Sequence, residues 1–153
     1  MSSHEYKTHG LMIDDLIVAD EKLTDLIKEI ADLYLKNDRA WVIGFSGGKD
    51  STVILSLIYQ ALTTLTKKQL KKKVYVVCSD TLVETPVVVG LVREVLNNVQ
   101  ESANEKGIPL VTQMVVPDTN NTFWSNLLGK GYPAPTSGFR WCTERMKIKP
   151  VTA

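Results

Sequence analysis

The sequence predicts an α/β domain, a doubly wound and mainly parallel sheet with helices packed on it. Three observations carry that expectation. Apolar runs of strand length alternate with segments of helical period along the 153 residues. The first run breaks into Gly47-Gly48 and opens directly into an amphipathic segment, the strand-to-helix step of such folds. The second run, Val74 to Cys78, is continuously apolar, as in a parallel strand covered on both faces. With 44% hydrophobic residues the chain can build one core, and a single domain over 11–153 is expected.

Residues 1–10 are polar and aperiodic and read as a flexible arm; it holds His4 and His9, to which no role is assigned. From Leu11 to about Lys36, apolar residues recur every three or four positions, which predicts a helix packed on the sheet. Asn37-Asp38-Arg39 ends it, and Ala40 to Phe45 is the first strand. The helix after the glycines has an apolar face of Ile54, Leu55, Leu57, Ile58, Ala61 and Leu62. Five lysines crowd the seven residues from Lys67 to Lys73, and a run of that kind between helix and strand is read as a solvated connection rather than a nucleic-acid surface.

Ser79-Asp80-Thr81 ends the second strand. Pro86 suits the first turn of the next helix and Gly107 its end, with Val88, Leu91, Val92, Val95, Leu96 and Val99 on the inner side. Ile108 to Val116 reads as another strand. Beyond Pro117 the character changes: Phe123, Trp124, Tyr132, Phe139 and Trp141 mix with Arg140, Arg145, Lys147 and Lys149, broken by glycines and prolines. That mixture suits a site lid better than a core, although a short helix at 122–128 capping the sheet accounts for part of it.

Composition narrows the function classes. A net charge of +1 gives no broad basic footprint for nucleic acid. No run of about 18 apolar residues exists to span a membrane, and His4, Glu5, Lys7 and Asp14 interrupt any leader-like stretch, so a cytoplasmic location is expected. Cys78 and Cys142 are too few for a disulfide framework or a complete protein metal cage.

The stretch from Val42 to Ser51 carries the chemistry. Gly47 and Gly48 can adopt backbone angles closed to other residues, so successive N–H groups can converge on one anion. The following helix adds a positive end whose first N–H groups lack intrahelical partners. Lys49 supplies a mobile charge, and Ser46 and Ser51 supply hydroxyls. The Walker A pattern does not fit: only three residues separate Gly44 from Gly48, and Asp50 follows Lys49 where that loop needs Ser or Thr.

Ser46-Gly47-Gly48-Lys49-Asp50-Ser51 resembles the PP-loop of the ATP pyrophosphatases, which split ATP between its α and β phosphates. Arg140-Trp141-Cys142-Thr143 followed by Lys147-Ile148-Lys149-Pro150 resembles a second motif of the PAPS reductase-like members. With Ser79 to Pro86, Phe123 to Leu127 and Gly131 to Pro135, the likeness over about residues 35–150 is to the DndC family, the sulfurtransferases of bacterial DNA phosphorothioation. Reductases proper usually show Asp-Thr-Gly after the second strand; Leu82 stands in place of that glycine, which favours the phosphorothioation branch.

The resemblance implies an adenine nucleotide alpha hydrolase-like (HUP-type) domain using ATP and magnesium. The loop N–H groups, Ser46, Lys49 and Ser51 would hold the β and γ phosphates, with Asp50 facing the lysine or a magnesium ion. Asp80 is either a second magnesium ligand or a helix N-cap. Arg140, Lys147 and Lys149 would bind pyrophosphate or the second substrate's phosphate. Cys142, among four cations in sequence, would carry a persulfide, ligate a cluster or serve structurally; Cys78, inside the apolar run, reads as core. DNA would be the substrate, a cysteine desulfurase the sulfur donor, and other phosphorothioation subunits the partners. The alternatives are a phosphoadenylylsulfate reductase, another sulfur-transfer enzyme acting on a small molecule or tRNA, and a nucleotide-sensing subunit without catalysis. A [4Fe–4S] cluster takes four thiolates, so the family's cluster would require a longer chain, of which this sequence is expected to be the catalytic-domain part.

Overall fold

A computed structural model describes residues 21–152. The arm over 1–10, with its two histidines, and the expected first turns of the leading helix lie outside the described residues. Within them, α1 (Glu21–Leu35) precedes β1 (Trp41–Gly44), α2 (Lys49–Thr63), β2 (Val74–Ser79), α3 (Pro86–Lys106) and β3 (Leu110–Val115).

The three strands form a parallel sheet in the order β1-β2-β3, with Ile43 opposite Val76 and Val76 opposite Thr112. Parallel pairing needs a crossover longer than a hairpin, and α2 and α3 supply the two crossovers. The ladder continues past the strand ends: the Phe45 N–H donates to the Val77 carbonyl at 2.9 Å, and the Asp80 N–H donates to Val115 at 2.9 Å. This places Phe45-Ser46 and Ser79-Asp80 together at the carboxyl ends of the strands.

Burial follows the period of two. Val74, Val76 and Cys78 are buried with Ile43, Leu110 and the inner residues of α2 and α3, including Leu55, Tyr59, Leu62, Val92, Leu96 and Val99. Burying each large apolar side chain stabilises the fold by roughly 1.5–3 kcal/mol, so this cluster dominates the folding energy. The other face of the sheet differs from the expectation of two-sided cover. Tyr75 and Val77 are half-buried, while Val42 is 63% and Val111 38% exposed. Continuous apolarity in β2 thus reports one fully packed face and one partly covered face.

The helices also depart in phase from their expected inner sides. In α3, Val92, Leu96, Val99 and Ala103 are buried, but Val88 and Leu91 are exposed. In α2, Ile54 is exposed and Tyr59 takes the central core position. Only a stripe of each helix reaches a single sheet face, and the longer apolar stripe overestimates it. The limits of α3 follow local chemistry: Pro86 occupies its first turn, where its missing N–H costs nothing, and Gly107 closes it at φ 68°.

Rather than lying on the sheet, α1 lies against α2, and its last turn brings Tyr34 into the core. Tyr34 meets Trp41 edge-on at 5.4 Å, and its hydroxyl donates to the Lys72 carbonyl at 2.6 Å. Lys72 departs from the solvated reading of its lysine run. It is 7% exposed, with Nζ 4.6 Å from the Tyr34 ring centroid, 4.8 Å from that of Trp41, and donating to the Asn37 carbonyl at 3.1 Å. Burial lowers its pKa, opposed by the charge of Asp38. The other four lysines of the run are exposed.

The edge of β3 is satisfied by a side chain. Gln100 of α3 donates to the Leu110 carbonyl at 3.0 Å and accepts the Thr112 N–H at 2.8 Å, pairing backbone groups that a further strand would otherwise take.

Candidate functional site

The loop between β1 and α2 is closed on itself by serine. The Ser51 hydroxyl donates to the Gly48 carbonyl at 2.9 Å; it accepts the Ser46 N–H at 3.3 Å and lies 3.1 Å from the Ser46 hydroxyl. Because the Ser51 proton is committed to Gly48, Ser46 is the donor in the hydroxyl pair. Thr52 adds a second hydroxyl to the same carbonyl at 2.9 Å. These bonds fix the loop while Lys49 and Asp50 remain exposed.

Two glycines have separate tasks. Gly47 sits at φ 73°, and a Cβ there would lie 2.6 Å from Val92 Cγ2. A side chain is therefore excluded both by backbone angle and by α3. Gly48 is the N-cap of α2 in extended conformation and gives no side-chain cap. The first-turn N–H groups of this 15-residue helix thus point toward the loop with no side-chain cap, and Asp50 lies in that turn.

Beside the loop, at the carboxyl ends of β1 and β2, lies a cavity of about 600 Å³. Its floor is apolar, built from Phe45, Cys78, Val92 and Met114. Ser46, Ser79, Asp80 and Glu84 form a polar side, and Lys147, Ile148 and Val151 of the C-terminal helical stretch form the opposite wall. The Ser79 hydroxyl donates to the Lys147 carbonyl at 3.3 Å, joining β2 to that wall.

Of the residues expected at a site, Ser46, Asp80 and Lys147 line this cavity, and Gly47, Gly48, Lys49, Asp50 and Ser51 form the adjoining loop. Asp80 is not a helix N-cap, since Thr85 holds that position for α3. It is 5% exposed; one carboxylate oxygen accepts the Leu82 N–H at 2.9 Å and the other lies 3.9 Å from Arg93. The Asp80 turn carries Leu82 at φ 60°.

Arg140, Cys142 and Lys149 are not among the residues lining the cavity. The Arg140 side chain donates to the Ser137 carbonyl at 3.2 Å, and Lys149 lies 3.6 Å from Glu144. Cys142 is half-buried beside the buried Trp141. The four cations that surround it in sequence are spread in space because a helical stretch turns successive residues to different sides. Lys147 faces the cavity and Arg145 points away from it.

Cys78, expected as core, belongs both to the core and to the cavity floor. Burial raises its pKa most, Glu84 and Asp80 raise it further, and Lys147 pulls it down. A strand's last residues end in the cleft even when they read as core, and the two carboxylates shortly after Cys78 were the available signal. No group of three His, Cys, Asp or Glu side chains arranged for a metal ion occurs among the described residues.

Of the aromatic residues after β3, Phe123 and Tyr132 pack around the buried Trp141, while Trp124 and Phe139 are exposed. Trp141 stacks on Phe123 at 5.6 Å, meets Tyr132 edge-on at 5.7 Å, and donates its indole N–H to the Pro133 carbonyl at 3.0 Å. The expected helix at 122–128 is present as a wide π-type turn, Ser125–Gly129.

No family model matches the chain. An uncharacterized protein of Methanocaldococcus jannaschii is 31% identical over 134 residues, covering 88% of this chain and 23% of that relative. The chain thus spans about a quarter of the relative's length, 23%, and the relative's name assigns it no activity. No helix among the described residues is long and apolar enough to cross a membrane.

Proposed function

We propose that this chain is the ATP pyrophosphatase-type domain of a sulfurtransferase of the DndC kind, in a doubly wound PP-loop fold, which activates a DNA backbone phosphate for replacement of a non-bridging oxygen by sulfur. The observation that carries the reading is the loop Ser46 to Ser51: its motif follows a strand, opens a helix without a side-chain cap, and is held by serine hydroxyls while Gly47, Gly48 and Lys49 remain exposed. ATP is the substrate whose triphosphate this loop would take.

The residues fit a nucleotide in two respects. The Gly47 side is filled by Val92, so the backbone itself is the surface offered to phosphate, and the neighbouring cavity has an apolar floor with a polar side. Magnesium beside phosphates needs one or two carboxylates, which Asp50 supplies; Asp80 is already engaged with Leu82 and Arg93 and would contribute less. An iron–sulfur cluster does not fit this chain, since Cys78 and Cys142 are two thiols on different elements.

In this reading a DNA phosphate oxygen attacks the α phosphorus of ATP and pyrophosphate leaves. The outer sulfur of a persulfide, supplied by a cysteine desulfurase or another subunit of the complex, then displaces AMP, and a second thiol cleaves the resulting S–S bond, leaving the phosphorothioate and a disulfide. The chain's own part is to orient the triphosphate, neutralise its charge through Lys49 and Lys147, and exclude water from the floor of the cavity. Cys142 would act in sulfur delivery from outside the cavity. Two unpaired cysteines suit a cytoplasmic protein.

Pyrophosphate release from ATP, measured with and without DNA, tests the reading. Release stimulated by DNA supports it. Thioredoxin-dependent sulfite release instead would assign a reductase, and ATP binding with no pyrophosphate in the presence of all partners would assign a nucleotide sensor.

A further inference from the structure

The wall of the cavity that carries Lys147 is held from behind by Arg145. One guanidinium nitrogen donates to Asn121 at 3.0 Å and to Asn126 at 3.3 Å, and the other donates to the Tyr132 hydroxyl at 2.8 Å. The guanidinium also lies 5.0 Å from the Tyr132 ring centroid. Asn126 is 0% exposed, so water cannot readily replace a lost partner there. None of these partners lines the cavity.

Lys147 stands two residues beyond Arg145 in the wide turn Glu144–Ile148. Residues so spaced point to nearly opposite sides of a helix. Arg145 therefore grips the segment after β3 while Lys147 and Ile148 face the cavity, across from Ser46 and Cys78.

We propose that Arg145 is a positioning residue: by anchoring the turn Glu144–Ile148 to Asn121, Asn126 and Tyr132, it sets where Lys147 stands relative to the phosphate loop. This rests on the cavity being the site of the phosphate chemistry proposed above. A lysine at 145 keeps the charge but ends in a single nitrogen, which cannot span three partners with the fork geometry of a guanidinium. The wall would loosen while the loop at Ser46 to Ser51 stayed as it is, since the loop's bonds are internal.

A readout independent of activity exists because Cys78 lies on the floor beneath that wall. In a Cys142→Ser background, which leaves Cys78 as the one thiol of the chain, the rate of alkylation by iodoacetamide reports how well the wall closes. Arg145→Lys should raise that rate about tenfold well below the melting temperature, through local opening. Tyr132→Phe, which deletes one partner and keeps the ring, should raise it less and covers the case in which Arg145→Lys fails to fold. Val99→Ala, a core change in α3, serves as the control for plain loss of stability. An unchanged rate, or an equal rise in Val99→Ala, overturns the proposal.

The second arm is kinetic. Arg145→Lys should lower kcat for pyrophosphate release about tenfold with KM for ATP within about twofold, because geometry rather than loop affinity is disturbed. Combining it with Lys147→Ala should cost no more than Lys147→Ala alone, since Arg145 acts through Lys147. Additive losses, or a KM rise as large as the kcat fall, overturn it. If the wild-type chain binds ATP but releases no pyrophosphate while Cys78 responds as stated, the proposed function fails and the placement of the wall by Arg145 stands.

Discussion

Gly47 of the loop and Val92 of α3 are in such close approach that a Cβ on the glycine would lie 2.6 Å from the valine Cγ2. The β1–α2 loop is thereby braced by the crossover helix of the next strand. Its shape depends on core packing as well as on its own hydrogen bonds.

Gly47→Ala should therefore destabilise the fold by about 2–4 kcal/mol, combining left-handed backbone strain with overpacking. Chemical denaturation measures it. Val92→Ala in the same chain should recover only the packing part, because φ 73° remains unfavourable for alanine. A single variant as stable as wild type would show that the loop does not keep this conformation.

Leu82 holds φ 60° at 50% exposure, in the turn where the Asp80 carboxylate accepts its N–H. A left-handed leucine costs roughly 1–2 kcal/mol, and glycine removes that strain while adding freedom to the unfolded chain worth roughly 0.5–1 kcal/mol. Leu82→Gly should be neutral to stabilising, by up to about 1 kcal/mol in thermal or urea unfolding. A loss above about 1 kcal/mol would mean that the leucine side chain makes contacts that outweigh the strain.

Element identity was legible because each strand and helix carries its own punctuation. Pro86 and Gly107 bracket α3, and the glycines after β1 mark the start of α2. The place of the loop Ser46 to Ser51 between β1 and α2 was legible for the same reason, being contiguous in sequence. What was not legible depends on which face meets what. Val88 and Leu91 continue an apolar stripe that only one sheet face can receive, and Lys72 looks like its lysine neighbours until Tyr34 and Trp41 enclose it. At the cavity, Cys78 was hidden inside a strand run, and Arg145 was counted with Lys147 although the helix turns them apart.

Lys72 gives a pH test of that enclosure. Its pKa is lowered from 10.5 by burial, so the folded state penalises the charged ammonium. The unfolded chain then binds more protons between the folded-state pKa and 10.5, and stability rises with pH across that window. Tyr34 works the other way, since burial raises its phenol above 10.0 and folding weakens as the unfolded phenol ionises. Comparing wild type with Lys72→Met cancels most of the Tyr34 contribution. The stability of wild type relative to the variant should increase as pH rises toward 10.5. A flat difference would place the ammonium in solvent.

The most direct test of the central claim is calorimetric titration of ATP, with magnesium, into wild type and Lys49→Ala. Charge-assisted bonds to phosphate oxygens contribute roughly 1.5–3 kcal/mol, so the variant should bind ATP about tenfold to hundredfold more weakly with an unchanged melting temperature. Equal affinity in the two proteins, or no ATP binding by the wild type, would contradict the assignment of Ser46 to Ser51 as the triphosphate loop.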